Sequence, residues 1–399
     1  MTENPGYRWI VLSIYILSGI ASQLIWITYA PILSTSAKFY HVSENEVSLF
    51  AAVFPLIYLI ISIPVGYFID KYGFRRALIT GMLFLGVFSV LRSITASFII
   101  ALAFQVIAGI GQPFVMNSVS KLVRSWFPEE ETALATGLGT LSLMLGIIIA
   151  LALTPILVSH IGLTYTLAIY GGYSIITLFL VYILVKEPVI KYGEERVAVG
   201  LREMIIVLKN RNILILSTLF FLGVGAYTAF TTWVEPLVKA TGVPLGKAGV
   251  VGSLLTIGGI IGSVVIPGIA DKISSRKKPM IYALLIAVFL WLTPYFAHGT
   301  TAASIELFIT GFFFLSLAPL SLDLSAVSVG IKYSGAANSV LWEFSQIGSL
   351  ILIWLFEVIS EAKNWLAIYP LISILVLVMF ILSLGLKEEN SLPDNSTAT

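Results

Sequence analysis

Gly66-Tyr-Phe-Ile-Asp70-Lys71-Tyr-Gly73-Phe-Arg75-Arg76 sets a carboxylate and three cations into a short turn between two long apolar runs. The pattern returns at Gly268-Ile-Ala-Asp271-Lys272-Ile-Ser-Ser-Arg276-Lys277, 201 residues further on (271 − 70) in a chain of 399, with Ser274 in the place of Gly73. That offset is half the chain length, so the sequence reads as a duplication whose two halves repeat one charged turn.

The surroundings of both turns are oily: 58% of residues are hydrophobic, 11% are charged and the mean hydropathy is +0.98. No soluble core needs such a composition, whereas a hydrocarbon layer about 30 Å thick takes about 20 helical residues per crossing. Twelve runs of that kind are predicted, at 9–34, 46–69, 76–96, 98–121, 133–158, 163–185, 213–239, 247–270, 279–298, 302–325, 335–359 and 365–386. They are continuous and do not alternate in polarity, which argues for helices over a barrel. The fold class expected is an all-α membrane protein with twelve transmembrane helices in two pseudo-symmetric six-helix bundles. The first bundle is placed at 1–185, a linker at 186–211, the second bundle at 212–387 and a polar, disordered tail at 388–399.

An even number of spans puts both termini on one side. Of the 23 Lys and Arg residues, only Lys38, Arg92, Lys239, Lys247 and Lys363 fall on the other side. The positive-inside rule therefore assigns the termini to the cytoplasm of a cell-membrane protein. The net charge of +2 reports this topology and implies no nucleic acid. The first helix is expected to act as the targeting signal, since it is span-length and lacks a cleavage site. Cysteine is absent, which removes disulfides and thiol chemistry.

In the linker, Pro188, Gly193 and Gly200 punctuate a polar stretch. There Leu201, Ile205 and Leu208 oppose Arg202, Glu203 and Lys209, as in a short amphipathic helix lying on the membrane surface, either as a brace between halves or as a tolerated surface helix. The Asn395-Ser396-Thr397 sequon is expected to be idle on an internal tail.

Six spans twice over, with Asp-Lys-x-Gly-x-Arg-Arg between the second and third, resembles the major facilitator superfamily. The resemblance implies a carrier fold in which Asp70, Lys71, Arg75, Arg76, Asp271, Lys272 and Arg276 gate the cytoplasmic side. A carboxylate and clustered cations at helix ends can pair with one another and with helix dipoles. The alternative is basic charge that only sets topology.

A carrier of this architecture binds its solute near the midplane, on helices broken by Pro or Gly. Gly109, Gly111 and Pro113 are expected to interrupt the fourth span, Gly223 and Gly225 the seventh, and Pro319 the tenth. Gly109-Ile-Gly111 and Gly223-Val-Gly225 lie in apolar helices with no preceding strand, so close helix packing suits them better than a dinucleotide loop. The 201-residue offset maps Trp26 of the first span onto Tyr227 of the seventh. Gln112 and Gln346 add amides at membrane depth, where polar groups tend to face the interior. Two aromatic faces and two amides make a cage for a small cation, each ring attracting it by roughly 0.5–2 kcal/mol; the plainer alternative is core packing.

Charge supports a cationic or neutral solute. Glu235, Glu306, Asp323, Glu343 and Glu357 lie in or near spans, and no cation sits at a span centre where an anionic solute would need one. Glu235, in the outer third of the seventh span, and with it Glu343 and Asp323, are candidates for coupling or cation attraction. The alternatives are a helix-end carboxylate for Glu235, a span terminus for Asp323, and a cavity or gate position for Glu343. Arg92 is expected to snorkel to the outer surface and His160 to sit exposed at a helix end.

Trp26-Ile-Thr-Tyr29, the stretch from Gly111-Gln112-Pro113-Phe114 through Trp126-Phe127-Pro128-Glu129, Gly225-Ala-Tyr227, Pro319-Leu-Ser-Leu-Asp323 and Ser345-Gln346-Ile-Gly348 resemble the feline leukaemia virus subgroup C receptor-related family. Its carriers are associated with haem, choline, ethanolamine and vitamin-like solutes. The resemblance implies that the choline cage falls on Trp26, Gln112, Tyr227 and Gln346. It points to transport by uniport or with a coupling ion; the alternatives are a proton-coupled carrier or exporter of a haem-like or vitamin-like solute, and a non-transporting receptor of the same ancestry. Three histidines and no phosphate loop offer no enzyme site, no cofactor is called for, and the expected working unit is a monomer whose partners are its solute and the lipid bilayer.

Overall fold

The protein is described by a computed structural model covering residues 6–188, 200–296, 298–330, 333–360 and 364–388. Long apolar helices run over Tyr7–Tyr40 (α1), Glu44–Tyr72 (α2), Phe74–Ser93 (α3), Phe98–Trp126 (α4), Glu129–Leu184, Arg211–Thr232 (α7), Leu245–Lys272 (α8), Lys277–Tyr295 (α9), Thr300–Val329 (α10), Ser334–Ile359 (α11) and Trp365–Leu384 (α12). The 56 residues of Glu129–Leu184 would extend about 84 Å at 1.5 Å per residue, far more than one crossing needs. Gly162, at φ 79° and ψ 168°, folds the stretch into α5 (129–161) and α6 (163–184). A side chain would strain that backbone, so one glycine turns eleven apolar helices into twelve spans, as the sequence predicts.

The helices pair in the same way in each half. In the first, α1 packs on α5, α3 on α6 and α2 on α4; in the second, α7 packs on α11, α9 on α12 and α8 on α10. Small residues permit the closest crossings: a side chain at Gly111 would strike the backbone of Gly81, and one at Gly225 the backbone of Gly348. This is the close-packing role expected of the two Gly-x-Gly pairs. Large apolar side chains such as Tyr67, Ile99, Ile176 and Val264 stay exposed on the outside of the bundles. In a bilayer those surfaces meet lipid, which solvates them without penalty. The halves meet through α5 against α8, where Gly249 lies on Leu151 and Pro155, and through α2 against α11.

Both described ends of the chain lie on one face, called here the terminal face. There the charged turn is built twice. Gly73 has φ 87° and its repeat mate Ser274 has φ 49°, so the second copy keeps a left-handed turn despite carrying a side chain. Breaks in α4 and α10 lie at Ile110 and at Leu315–Ser316, next to Pro113 and Pro319 as expected. The break in α7 differs from expectation. It falls at Trp233, after which the chain resumes as Val234–Ala240, and Gly223 and Gly225 stay helical. Pro236 has no N–H to offer the carbonyl of Thr232, whereas a glycine only weakens a helix and here admits a neighbour.

The linker helix spans Leu201–Val207, with Met204 and Val207 buried and Leu201 and Ile205 exposed. Gly193, the expected tail from 389 onward and its sequon lie outside the described residues.

Candidate solute site and gates

Trp26 is buried in α1 and its indole Nε1 donates to the carbonyl of Ala51 in α2 at 3.0 Å. Tyr227, half-buried in α7, shares a 2.8 Å hydrogen bond with Thr256 of α8. The two repeat mates thus tie their polar tips back to repeat-related helices of their own halves. Gln112 is buried on α4 and Gln346 half-buried on α11. The Gly225–Gly348 crossing lies two residues from both Tyr227 and Gln346. Among the described residues no hydrogen bond or ring contact joins any two of the four.

The chain has four glutamines, and they differ in commitment. Gln105 donates to the carbonyls of Ile25 and Phe50 at 3.2 and 3.0 Å and accepts from Arg92. Among the described residues Gln23 reaches only the Met116 sulfur, at 3.8 Å. Neither Gln112 nor Gln346 has a hydrogen-bond partner among the described residues. Amides left uncommitted at membrane depth carry unspent capacity for a polar ligand or water.

The acids separate in the same way. Glu343 of α11 accepts from the Ser62 hydroxyl of α2, across the two halves, and its second oxygen is buried without a partner. Glu235, 3% exposed, accepts from the backbone N–H of Ser34 at 3.3 Å and from the Ser34 hydroxyl. It is therefore not a carboxylate standing free in water. It ties the short Val234–Ala240 helix to the first half at the face opposite the termini, and Ser34 and Glu235 are themselves 201 residues apart. A cleft of about 390 Å³ opens beside this contact, lined by Glu44, Lys239 and Trp365 among others. Asp323 is engaged within its own half, its Oδ2 taking Arg276 Nε at 2.6 Å. Glu306 accepts from Thr310 at 2.9 Å inside the second bundle.

At the terminal face the motif charges stay within their halves. Arg75 donates through Nε to Val185 O at 2.5 Å and its backbone N–H meets Glu187 Oε1 at 2.9 Å. The backbone N–H of Arg276 meets Glu388 Oε1, and Ser275 donates to Glu388 Oε2 at 2.6 Å. Glu187 and Glu388 are repeat mates (388 − 187 = 201), each placing a carboxylate at the positive end of a helix. Lys121 caps the carbonyls of Ile69 and Asp70, both at 2.8 Å. Asp70, Lys71, Arg76, Asp271 and Lys272 are exposed. Among the described residues none of the motif charges bridges the two halves. Burial raises the Glu388 carboxyl, but the bonds from Ser275, Arg276 and Lys277 and the Arg276 charge outweigh it and hold it below the usual glutamate range.

Arg92 corrects the expectation of an exposed, snorkelling side chain. It is fully buried at the end of α3, donating to Ile25 O at 3.1 Å, to Thr28 Oγ1 at 3.3 Å and to Gln105, with its guanidinium 5.3 Å from the Tyr29 ring centroid. A carbonyl and a hydroxyl at the interrupted end of α1, an amide from α4 and an aromatic face together replace water around the charge. His160 is exposed at the end of α5, as expected. Sequence reading missed Ser34, Ser62, Gln105, Glu187 and Glu388; the 201-residue ruler reaches Ser34 and the two capping glutamates.

Two like bundles meeting through polar contacts inside an apolar shell define a membrane transporter for small solutes. The chain belongs to the Major Facilitator Superfamily, whose sequence profile matches residues 11–352. An uncharacterized protein of Archaeoglobus fulgidus is 42% identical over 222 residues, 56% of this chain and 100% of that protein. The human choline/ethanolamine transporter FLVCR2 is 26% identical over 372 residues, 86% of this chain and 70% of its own. A solved bacterial homologue of the human lysosomal transporter Spinster, inward-facing and unoccupied, superposes with a TM-score of 0.74 at 17% identity, covering 96% of each chain; that likeness is one of fold.

Proposed function

We propose that this chain carries a small organic cation or amine of the choline/ethanolamine type across the cell membrane by alternating access, as a uniporter or with a coupling ion. The observation that supports the reading is that Gln112 and Gln346 are uncommitted amides while the repeat-related aromatics Trp26 and Tyr227 have their polar tips occupied elsewhere. A cation then meets ring faces and amide oxygens and needs no change in the packing beneath them. The similarity to FLVCR2, named for choline and ethanolamine, points the same way.

The bodies that move are 1–185 and 212–387, joined by 186–211, with the basic terminal face in the cytoplasm. Ser34 and Glu235 close the outer face, and the two charged turns close the inner face when the bundles rock together there.

Purified protein should be stabilised against heat by choline or ethanolamine, and Trp26→Ala or Tyr227→Ala should abolish the gain. Stabilisation by carboxylates or sugars alone would contradict the reading.

A further inference from the structure

The two seams between the halves are repeat mates, α2 with α11 and α5 with α8, but they are not chemically alike. Glu343 and Ser62 meet across the first. Their mates across the second are Ser142 (343 − 201) and Ser263 (62 + 201), and both turn into their own bundles. Ser142 donates to Gly139 O at 2.6 Å and Ser263 to Leu315 O at 3.3 Å. The duplicated scaffold therefore accepts a serine at the Glu343 position, and the acid is specific to one seam.

A carboxylate at that depth is costly unless something compensates its charge. The protein compensates little. One oxygen takes the Ser62 hydroxyl, the other is buried and unpartnered, and no Lys or Arg pairs with Glu343 among the described residues. Tyr58, one turn before Ser62 on α2, already donates its hydroxyl to Asn117 Oδ1 at 2.8 Å. Gln346, with its free amide, is one helical turn further along the same side of α11. The arrangement is an acidic corner with the Ser62 hydroxyl on it and the Gln346 amide one turn away.

We infer that Glu343, with Ser62 and Gln346, forms a binding site for a monovalent cation at the α2–α11 seam. The cation is either the ammonium head of the solute or a free alkali ion. Only the first arm rests on the function proposed above. Because Ser62 and Glu343 belong to different halves, a cation drawing on the carboxylate also acts on the contact that joins them.

Thermal shifts of the full-length protein in detergent, with choline, its uncharged isostere 3,3-dimethylbutan-1-ol, and sodium chloride at constant ionic strength, test this. If the cation is the solute's head, Glu343→Gln cuts the preference for choline over the isostere about tenfold, and Ser62→Ala, which keeps the charge and loses one oxygen, lowers it less. If the cation is an alkali ion, sodium stabilises the native protein, stabilises Ser62→Ala less and does not stabilise Glu343→Gln. Equal choline preference and equal sodium response in native protein and Glu343→Gln overturn the site while leaving the choline reading intact. A Glu343-dependent sodium response with no choline response supports the site and sinks that reading. Should Glu343→Gln fail to fold, Glu343→Asp must keep a reduced cation response; its complete loss in a folded Glu343→Asp or in Ser62→Ala overturns the proposal.

Discussion

Arg92 and Gln105 form a buried knot in which each partner's polarity is justified by the other. Replacing Arg92 by Met leaves Gln105 Oε1 without its donor, at a cost of roughly 1–3 kcal/mol, whereas removing both groups relieves that atom but takes from the Phe50 carbonyl the donor that Gln105 supplies. Arg92→Met should therefore lower the melting temperature markedly, and Arg92→Met with Gln105→Leu should recover part of the loss. A double variant as unstable as the sum of the two singles would show that the groups do not act as a pair. The knot was illegible beforehand because the sequence places Arg92 near a span end, where snorkelling is the usual solution. Only the folded chain brings Ile25, Thr28, Tyr29 and Gln105 around it. Trp26 and Tyr227 were legible, since the repeat selects them, but the tethers to Ala51 and Thr256 depend on how neighbouring helices cross.

Between elements, the two charged turns are one device with a single difference. At Gly73 a side chain would meet both a left-handed backbone and the Glu187 carboxylate, so Gly73→Ala should cost about 1–3 kcal/mol. At Ser274 the side chain already tolerates φ 49°, and Ser274→Gly should stay within about 1 kcal/mol of neutral. Chemical or thermal melts of the two variants decide this, and a larger loss at Ser274 would contradict it. Glu388 adds a pH dependence. Its carboxyl is held below the usual range in the folded state, so its contribution is complete above the unfolded glutamate value of about 4.3. It is lost as the pH falls through the lowered folded value. The melting-temperature gap between native protein and Glu388→Gln should accordingly narrow on acidification, and a gap that widens would reverse the sign. Helix number, the α4 and α10 breaks and the turns were readable from apolar length, Pro positions and charge. The α7 break is not legible from glycine spacing, which weakens a helix without interrupting it, whereas Pro236 removes a helical hydrogen bond.

For the whole molecule, the structure holds the halves together at the face opposite the termini and along the α2–α11 seam, and the motif charges remain within their own bundles. Glu235→Ala removes the Ser34 contact, so a cysteine at Ala30, which is 1% exposed in this conformation and packs where the halves meet, should become more reactive to a membrane-impermeant thiol reagent. The native chain has no cysteine and gives no background. Unchanged labelling would remove Glu235 from the closure. Architecture was legible because a bilayer dictates span length, and a duplication repeats its own errors and successes at one offset. Contacts between the halves were not, since they depend on which face each bundle presents. The central claim is carriage of an organic cation, and counterflow of labelled choline into proteoliposomes preloaded with unlabelled choline addresses it most directly. The account predicts transient accumulation that Trp26→Ala and Tyr227→Ala abolish; binding without exchange, or accumulation indifferent to both substitutions, would contradict it.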